Sequence, residues 1–152
     1  MLILGIDPGE KESAWVVWDT EKIISMAIDN NDMIWRAVGA MPPGSIMGIE
    51  MVACYGMPVG KSVFETVKWI GKIEREAEIK NIPYYEVFRR NIKMYFCNNM
   101  KAKDSNIRQT LIDRFGSPGT KKNPGKLYGV KKDIWSALAI AVYVEYKLKE
   151  EK

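Results

Sequence analysis

Two short apolar segments of this chain each end in an acidic residue. Leu2–Ile6 is followed by Asp7 and a Pro-Gly turn, and Ile46–Ile49 is followed by Glu50. Short apolar runs bounded by turn residues are typical of buried strands, where a charged side chain is costly unless it is paired or used. A third acid, Asp133, opens an apolar segment with helical periodicity. The pattern predicts a buried sheet that carries acids at the ends of its strands.

The other segments complete a series of strands and helices. Strands are predicted at residues 2–7, 13–19, 23–28, 45–51 and 84–87, and helices at residues 32–38, 61–80, 89–96, 105–115 and 133–147. On the helix at 61–80, the predicted buried stripe consists of Val63, Val67, Ile70, Ile73 and Ala77. This order predicts an α/β fold with a mixed five-stranded sheet flanked by helices, in one domain spanning residues 1–152. A right-handed crossover would bring strand four beside strand one, so that Asp7 and Glu50 meet.

Composition narrows the class of protein. A net charge of +4, with 47% apolar and 28% charged residues, is ordinary for a soluble globular chain and favours a polyanionic partner without identifying one. Cys54 and Cys97 lack the spacing of a metal site, which together with the absence of a signal-like leader indicates reduced thiols in the cytoplasm. The longest apolar stretch, at residues 134–144, is shorter than the roughly 18 residues that span a bilayer, so no membrane association is expected.

Three acids in a chain without histidine favour a particular ligand chemistry. Oxygen ligands suit hard divalent cations, so Asp7, Glu50 and Asp133 predict an Mg²⁺ site, with Mn²⁺ as a possible substitute. Carboxylates that hold two such ions support phosphodiester hydrolysis, in which one ion activates water and the other stabilises the leaving oxygen. Gly60-Lys61-Ser62 lacks the spacing of a phosphate-binding loop, and no nucleotide cofactor is expected.

Three motifs resemble those of a known family. Ile6-Asp7-Pro8-Gly9, Ile49-Glu50 and the segment at 133–141 are similar to RuvC-type Holliday junction resolvases, and the short connection between strands three and four resembles their bacteriophage branch. The resemblance implies an RNase H-like fold and a homodimer that nicks four-way DNA junctions with Mg²⁺. Asp7, Glu50 and Asp133 would then be the catalytic and metal-binding residues. A phage-encoded protein of this kind would act in the cytoplasm of its host.

The terminal motif departs from the family pattern at one residue. The family usually carries two acids three residues apart, and here the first is Asp133 and the second position is Ser136. Either Ser136 or Asp104 could replace the missing carboxylate, and the sequence leaves both open. Asp104 or Ser105 is also favoured as the N-cap of the helix that follows.

Several residues are candidates for contact with DNA. Residues 117–132 contain five lysines and no acid, which favours a loop that binds phosphates. The resemblance adds lysines near the scissile phosphate, and an aromatic residue in the loop after Glu50 that could insert at the branch point. The predicted DNA-binding residues are Tyr55, Lys93, Lys101, Lys103, Lys121, Lys122, Lys131 and Lys132.

Two other functions are compatible with the same residues. The departure at Ser136 is also expected in a junction-binding protein with weak or no cleavage. An RNase H-like nuclease that acts on RNA would carry the same strand-end acids. An actin-like ATPase shares the Gly5-Ile6-Asp7-Pro8-Gly9 pattern, but this chain is too short for its two domains.

Overall fold

A mixed five-stranded sheet with the order β3-β2-β1-β4-β5 forms the centre of the protein in a computed structural model that describes residues 1–152. The strands are β1 (Ile3–Asp7), β2 (Glu12–Trp18), β3 (Ile23–Asn30), β4 (Ile46–Met51) and β5 (Tyr84–Phe88). The helices are α1 (Ile34–Gly39), α2 (Lys61–Ile79), α3 (Arg89–Cys97), α4 (Asp104–Phe115) and α5 (Ile134–Glu150), with a 3-10 turn at Asn31–Met33 before α1. Strands β1 to β3 form an antiparallel meander, and β4 and β5 run parallel to β1. The predicted α/β fold class is confirmed, and so is the predicted place of strand four beside strand one.

Helices cover both faces of the sheet, and the alternation of β1 shows which residues face which layer. Ile3 belongs to the core around α5, whereas Leu4 and Ile6 belong to the core around α1 and α2. Because side chains alternate along a strand, Gly5 and Asp7 are directed to the face that α5 covers. The same alternation in β4, where Met47 and Ile49 lie in the α2 core, directs Gly48 and Glu50 to the α5 face.

Two glycines let α5 lie close to the sheet. Gly5 and Gly48 are paired across β1 and β4. A Cβ atom on Gly48 would lie 2.5 Å from Cγ2 of Val144, and one on Gly5 would overlap the carbonyl oxygen of Ala137. The glycine pair therefore places the N-terminal end of α5 beside the carboxyl ends of β1 and β4.

The buried stripe of α2 differs from the predicted one. Ile70, Ile73 and Ala77 are buried, but Val67 is 41% exposed and Thr66 is buried in its place. Position 66 lies four residues before Ile70 and seven before Ile73, so it falls on the line through both buried residues, whereas position 67 lies to one side of that line. The Thr66 hydroxyl is satisfied there, since it donates to the carbonyl oxygen of Ser62 at 2.9 Å.

Cys54 and Cys97 are both free thiols. None of the helices combines the length and the apolar character that crossing a membrane requires.

Candidate active site

Asp7 and Glu50 lie side by side at the ends of two parallel strands. Ile6 and Ile49, the preceding residues, are paired in the register of β1 and β4. Burial, together with the negative charge of Glu50, raises the pKa of Asp7 to about 8, and the two carboxyl groups are within hydrogen-bonding range. Burial also raises the pKa of Glu50, which the positive charge of Arg89 opposes. The two acids therefore form a half-buried pair that retains a proton near neutral pH.

A buried polar network holds the loop that follows Asp7. The Ser13 hydroxyl donates to Oδ1 of Asn31 at 2.5 Å, and Nδ2 of Asn31 donates to the carbonyl oxygen of Gly9 at 2.7 Å. The backbone amide of Gly9 in turn donates to Oγ of Ser13 at 3.3 Å. Ser13 and Asn31 are both buried. Because the polar groups of Ser13 and Asn31 have hydrogen-bond partners within the network, it fixes the Asp7 loop to β2 and to the start of the 3-10 turn.

Arg89, the first residue of α3, contacts Glu50 from the end of β5. Nε of Arg89 lies 3.0 Å from Oε1 of Glu50, and Nη2 donates to Oε2 at 3.4 Å. Nη1 lies 3.0 Å from Oδ1 of Asp104 and 3.5 Å from Oγ of Ser136. One guanidinium group thus bridges two carboxylates and the hydroxyl at position 136.

The site is divided into two cavities, and Arg89 lines both. The strand-end cavity, of about 270 Å³, is lined by Asp7, Pro8, Glu50, Met51, Val52, Ala53 and Arg89. The helix-start cavity, of about 200 Å³, is lined by Arg89, Asp104, Ile107, Arg108, Lys132, Asp133, Trp135 and Ser136. The first carries the two strand acids, and the second carries the acids at the beginnings of α4 and α5.

The sequence predicted Asp104 or Ser105 as the N-cap of α4, but neither residue occupies that position. Lys103 occupies the N-cap position, and its backbone amide donates to Oδ1 of Asn106 at 2.9 Å. Asp104 and Ser105 belong to the first turn of the helix. The cap prediction is wrong because Asp104 uses its carboxylate to pair with Arg89, while the side chain of Asn106 reaches back to the preceding loop.

Asp133 lines the helix-start cavity together with Arg89, whereas Asp7 and Glu50 line the strand-end cavity. Asp133 is exposed, makes no side-chain hydrogen bond at the start of α5, and its charge contributes to raising the pKa of Asp7. No group of three or more histidine, cysteine or acidic side chains is arranged to hold a metal ion. The structure therefore brings Asp7 and Glu50 together and leaves Asp133 as an exposed neighbour whose charge acts on Asp7.

The predicted DNA-binding residues lie on several parts of the surface. Tyr55, in the loop between β4 and α2, is 63% exposed and lines a separate cavity with Ala53, Phe88, Arg90 and Asn91. Lys93 is half-buried on α3. The other predicted lysines are all exposed: Lys101, Lys103, Lys121, Lys122, Lys131 and Lys132. Only Lys132 lines a cavity with acids of the site.

Sequence reasoning missed Arg89 and the Ser13–Asn31 network. The sequence did contain a signal for Arg89. This residue directly follows β5, which runs parallel to β4, and Asp7 and Glu50 likewise lie at the ends of their strands. Arg108, whose guanidinium lies 5.4 Å from the ring centre of Trp135, was also missed. The network had no comparable signal, because Ser13 and Asn31 are distant in sequence and ordinary in type.

Neither protein-family models nor curated proteins give a match to this chain. Solved structures do match. The structure of Thermus thermophilus RuvC aligns with a TM-score of 0.76 and 16% sequence identity, covering 99% of this chain and 97% of that one. T. thermophilus RuvC in complex with Holliday junction substrate aligns with the same TM-score and 13% identity, covering 99% and 96%. The chain therefore has the fold of RuvC over nearly its whole length, and the RNase H-like fold implied by the strand-end motifs is confirmed.

Proposed function

We propose that this protein is a Mg²⁺-dependent endonuclease that cleaves branched DNA, with the four-way junction as its main substrate. The observation that carries the proposal is the half-buried pair of Asp7 and Glu50 at the ends of adjacent parallel strands. The pair occurs in a fold shared with RuvC, one structure of which contains a Holliday junction substrate. The short β3–β4 connection supports a place near the bacteriophage members of that group.

The Asp7–Glu50 pair fits one hard divalent cation. Its oxygen atoms are the ligands that Mg²⁺ prefers, and a cation would offset the burial and the repulsion that together raise the pKa of Asp7. Asp133 would supply a further carboxylate from the start of α5. A bound Mg²⁺ would supply Lewis-acid activation for attack on the phosphodiester. The two-ion form of this chemistry remains a prediction, because Asp104 and Asp133 line the helix-start cavity and not the strand-end cavity.

We assign substrate binding to the lysines of the segment between α4 and α5. Lys131 and Lys132 directly precede Asp133, and Lys121 and Lys122 lie on the same connecting segment. Lysines that contact phosphates set the affinity and its salt dependence, without reading the base sequence. Lys93, Lys101 and Lys103 are proposed to contact DNA nearer the cleaved strand, and Tyr55 to contact unstacked bases.

A homodimer is part of the proposal, because symmetric cleavage of a four-way junction requires two equivalent sites. Helix α2 offers a candidate interface, since Phe64 and Val67 are large apolar residues exposed on one side of it. Sedimentation equilibrium would measure the mass directly, and a monomer that cleaves both strands at the same rate would contradict this part.

A second candidate is a junction-binding protein with weak cleavage. It is favoured by two observations: no three acids converge in a metal-binding arrangement, and position 136 carries a hydroxyl. An RNase H-like nuclease acting on RNA would share the carboxylate pair, and the choice of substrate separates it from the main proposal.

The deciding experiment compares four-way junction, flap, linear duplex and RNA–DNA hybrid substrates, each with Mg²⁺, Mn²⁺ or EDTA. We expect cleavage of the four-way junction in Mg²⁺ and in Mn²⁺, and none in EDTA. Tight junction binding without cleavage in either metal would favour the second candidate. Preferential cleavage of the hybrid would replace DNA by RNA as the substrate.

A further inference from the structure

We propose that the Arg89 guanidinium is a resident cation of the active site, which replaces a second metal ion and contacts the phosphate that is cleaved. This inference rests on the proposed nuclease function and extends it to a residue that neither the sequence motifs nor the fold assigns. It requires one divalent cation per protomer, held by Asp7 and Glu50, rather than two.

The first support is the position of the guanidinium between the two cavities. Arg89 is the only residue that lines both the strand-end cavity and the helix-start cavity. A positive charge there lies between Glu50 and Asp104, with 3.0 Å ion pairs to each. A second metal ion in this place would meet an obligatory positive charge, because the arginine side chain does not lose its proton.

The second support is the residue at which the chain departs from the resolvase motif. Ser136 stands where a second acid would be expected, and its hydroxyl lies 3.5 Å from Nη1 of Arg89. A neutral hydroxyl cannot balance the charge of a second divalent ion, but it can accept a hydrogen bond from a guanidinium group. The change at position 136 and the arginine at position 89 are therefore matched in charge and in hydrogen bonding.

The third support is that Arg89 is accessible and suited to phosphate. Its side chain is 34% exposed, whereas that of Glu50 is 15% exposed, so the guanidinium can be reached from solvent while Glu50 is largely covered. Its partner Asp104 is 75% exposed, and exposed ion pairs are weak enough to be exchanged. A planar guanidinium donates two parallel hydrogen bonds to a phosphate, and it stabilises negative charge that develops during cleavage.

The test counts bound Mn²⁺ by electron paramagnetic resonance and calorimetry, without DNA, for the wild type, Arg89→Gln and Arg89→Lys. The control, Arg75→Gln, removes the same charge from an exposed pair with Glu78 on α2. We expect one Mn²⁺ per wild-type protomer, and at least about tenfold tighter binding or a second ion in Arg89→Gln, because Glu50 and Asp104 lose their counter-charge. Arg89→Lys should keep the wild-type stoichiometry, and Arg75→Gln should change nothing.

Cleavage of the four-way junction is then measured on the same proteins. We expect Arg89→Gln to cut at least about 100-fold more slowly, and Arg89→Lys to recover only part of the rate because a lysine lacks the two-pronged geometry. Two Mn²⁺ ions per wild-type protomer, unchanged Mn²⁺ binding in Arg89→Gln, or wild-type cleavage by Arg89→Gln would each overturn the proposal. If the folded wild type cleaves no nucleic acid, the nuclease function fails, while the Mn²⁺ titration still tests the counter-charge. Thermal unfolding verifies that each variant is folded.

Discussion

The strand-end cavity and the helix-start cavity hold acids in opposite surroundings. Asp7 and Glu50 extend from paired strands and are half-buried, whereas Asp104 and Asp133 lie at the beginnings of helices and are exposed. The backbone of a central strand is held by hydrogen bonds to a neighbouring strand on each side, so its side chains are mounted rigidly. The start of a helix next to a loop has fewer such backbone hydrogen bonds. Under the proposed function, the rigid part would perform the chemistry and the more adaptable part would contact the substrate.

Substitution of the strand acids should have the largest effect. Asp7→Asn and Glu50→Gln each remove a ligand from the buried pair, and we expect at least about a 100-fold loss of cleavage with junction binding retained. Single-turnover cleavage and gel-shift titration on the same preparations would measure the two properties separately. Asp32→Asn, at an exposed acid of the 3-10 turn, is the control. Normal cleavage by a folded Asp7→Asn protein would remove the proposed mechanism.

Asp133→Asn should have a smaller effect, and so tests the difference between the cavities. Asp133 is exposed and lines the helix-start cavity, so we expect it to support the cation less directly than the strand acids do. A loss of roughly 10- to 100-fold in cleavage is expected, comparable to losing an outer-shell partner of a metal site. More Mg²⁺ should restore part of the rate, which a Mg²⁺ titration would show. An effect as large and as resistant to Mg²⁺ as that of Asp7→Asn would place all three acids in one rigid site.

Stability without metal should also distinguish the cavities. Asp7 has a pKa of about 8 in the folded protein and an ordinary value near 4 when unfolded, so the folded state binds the extra proton between these values. The free energy of unfolding should therefore fall as pH rises from about 4 to about 8, and level off above that. Asp7→Asn should be more stable than the wild type by roughly 2 kcal/mol or more at pH 8 in EDTA, with the gain vanishing near pH 4.

Chemical denaturation at pH 4, 6 and 8 would measure this dependence. Asp133→Asn serves as the matched comparison and should give a smaller gain, because Asp133 is exposed and acts only through its charge on Asp7. Equal stability of Asp7→Asn and wild type at pH 8 would show that burial and the neighbouring charges do not destabilise the ionised Asp7 in the folded protein.

The glycine pair offers a way to disturb the link between the two cavities. Gly48→Ala would push its new methyl group into Val144, and overpacking of this kind costs about 1–3 kcal/mol. Because α5 would move away from the sheet, Asp133 and Ser136 would move relative to the strand acids, and cleavage should fall more than binding. Gly71→Ala, on α2 where no atom lies within 4 Å of the new Cβ, is the control and should be neutral or slightly stabilising. Thermal unfolding and cleavage assays compare the two.

A feature of the fold or of the site could be predicted where a general rule relates the residues that form it. The strand-end acids followed from apolar runs and from the rule that parallel strands end at one edge, so Asp7 and Glu50 were found. Contacts between elements that are remote in sequence had no such rule. The pairing of Arg89 with Asp104, and the resulting division of the site, depends on the docking of α3 against α4 and α5.

The wrong N-cap at Asp104 has the same origin. A residue type that commonly caps a helix was assigned to that local role, while a tertiary partner on another helix was available to it. In the stripe of α2, likewise, the apolar Val67 was preferred to Thr66 because residue type says nothing about the helix's rotation on the sheet.

The smallest expected effect belongs to the lysines of the connecting segment. Lys121 and Lys122 are exposed and pair with no acid, so they are free to contact phosphates. The double change to glutamine should weaken junction binding a few-fold, and flatten the slope of log K against log salt by about one for each phosphate that is no longer neutralised. The single-turnover rate at saturating protein should stay within about twofold of wild type, because neither lysine lines a cavity with an acid. A large fall in that rate at unchanged affinity would move these lysines from substrate binding into the chemical step, and would erase the functional difference between the two cavities.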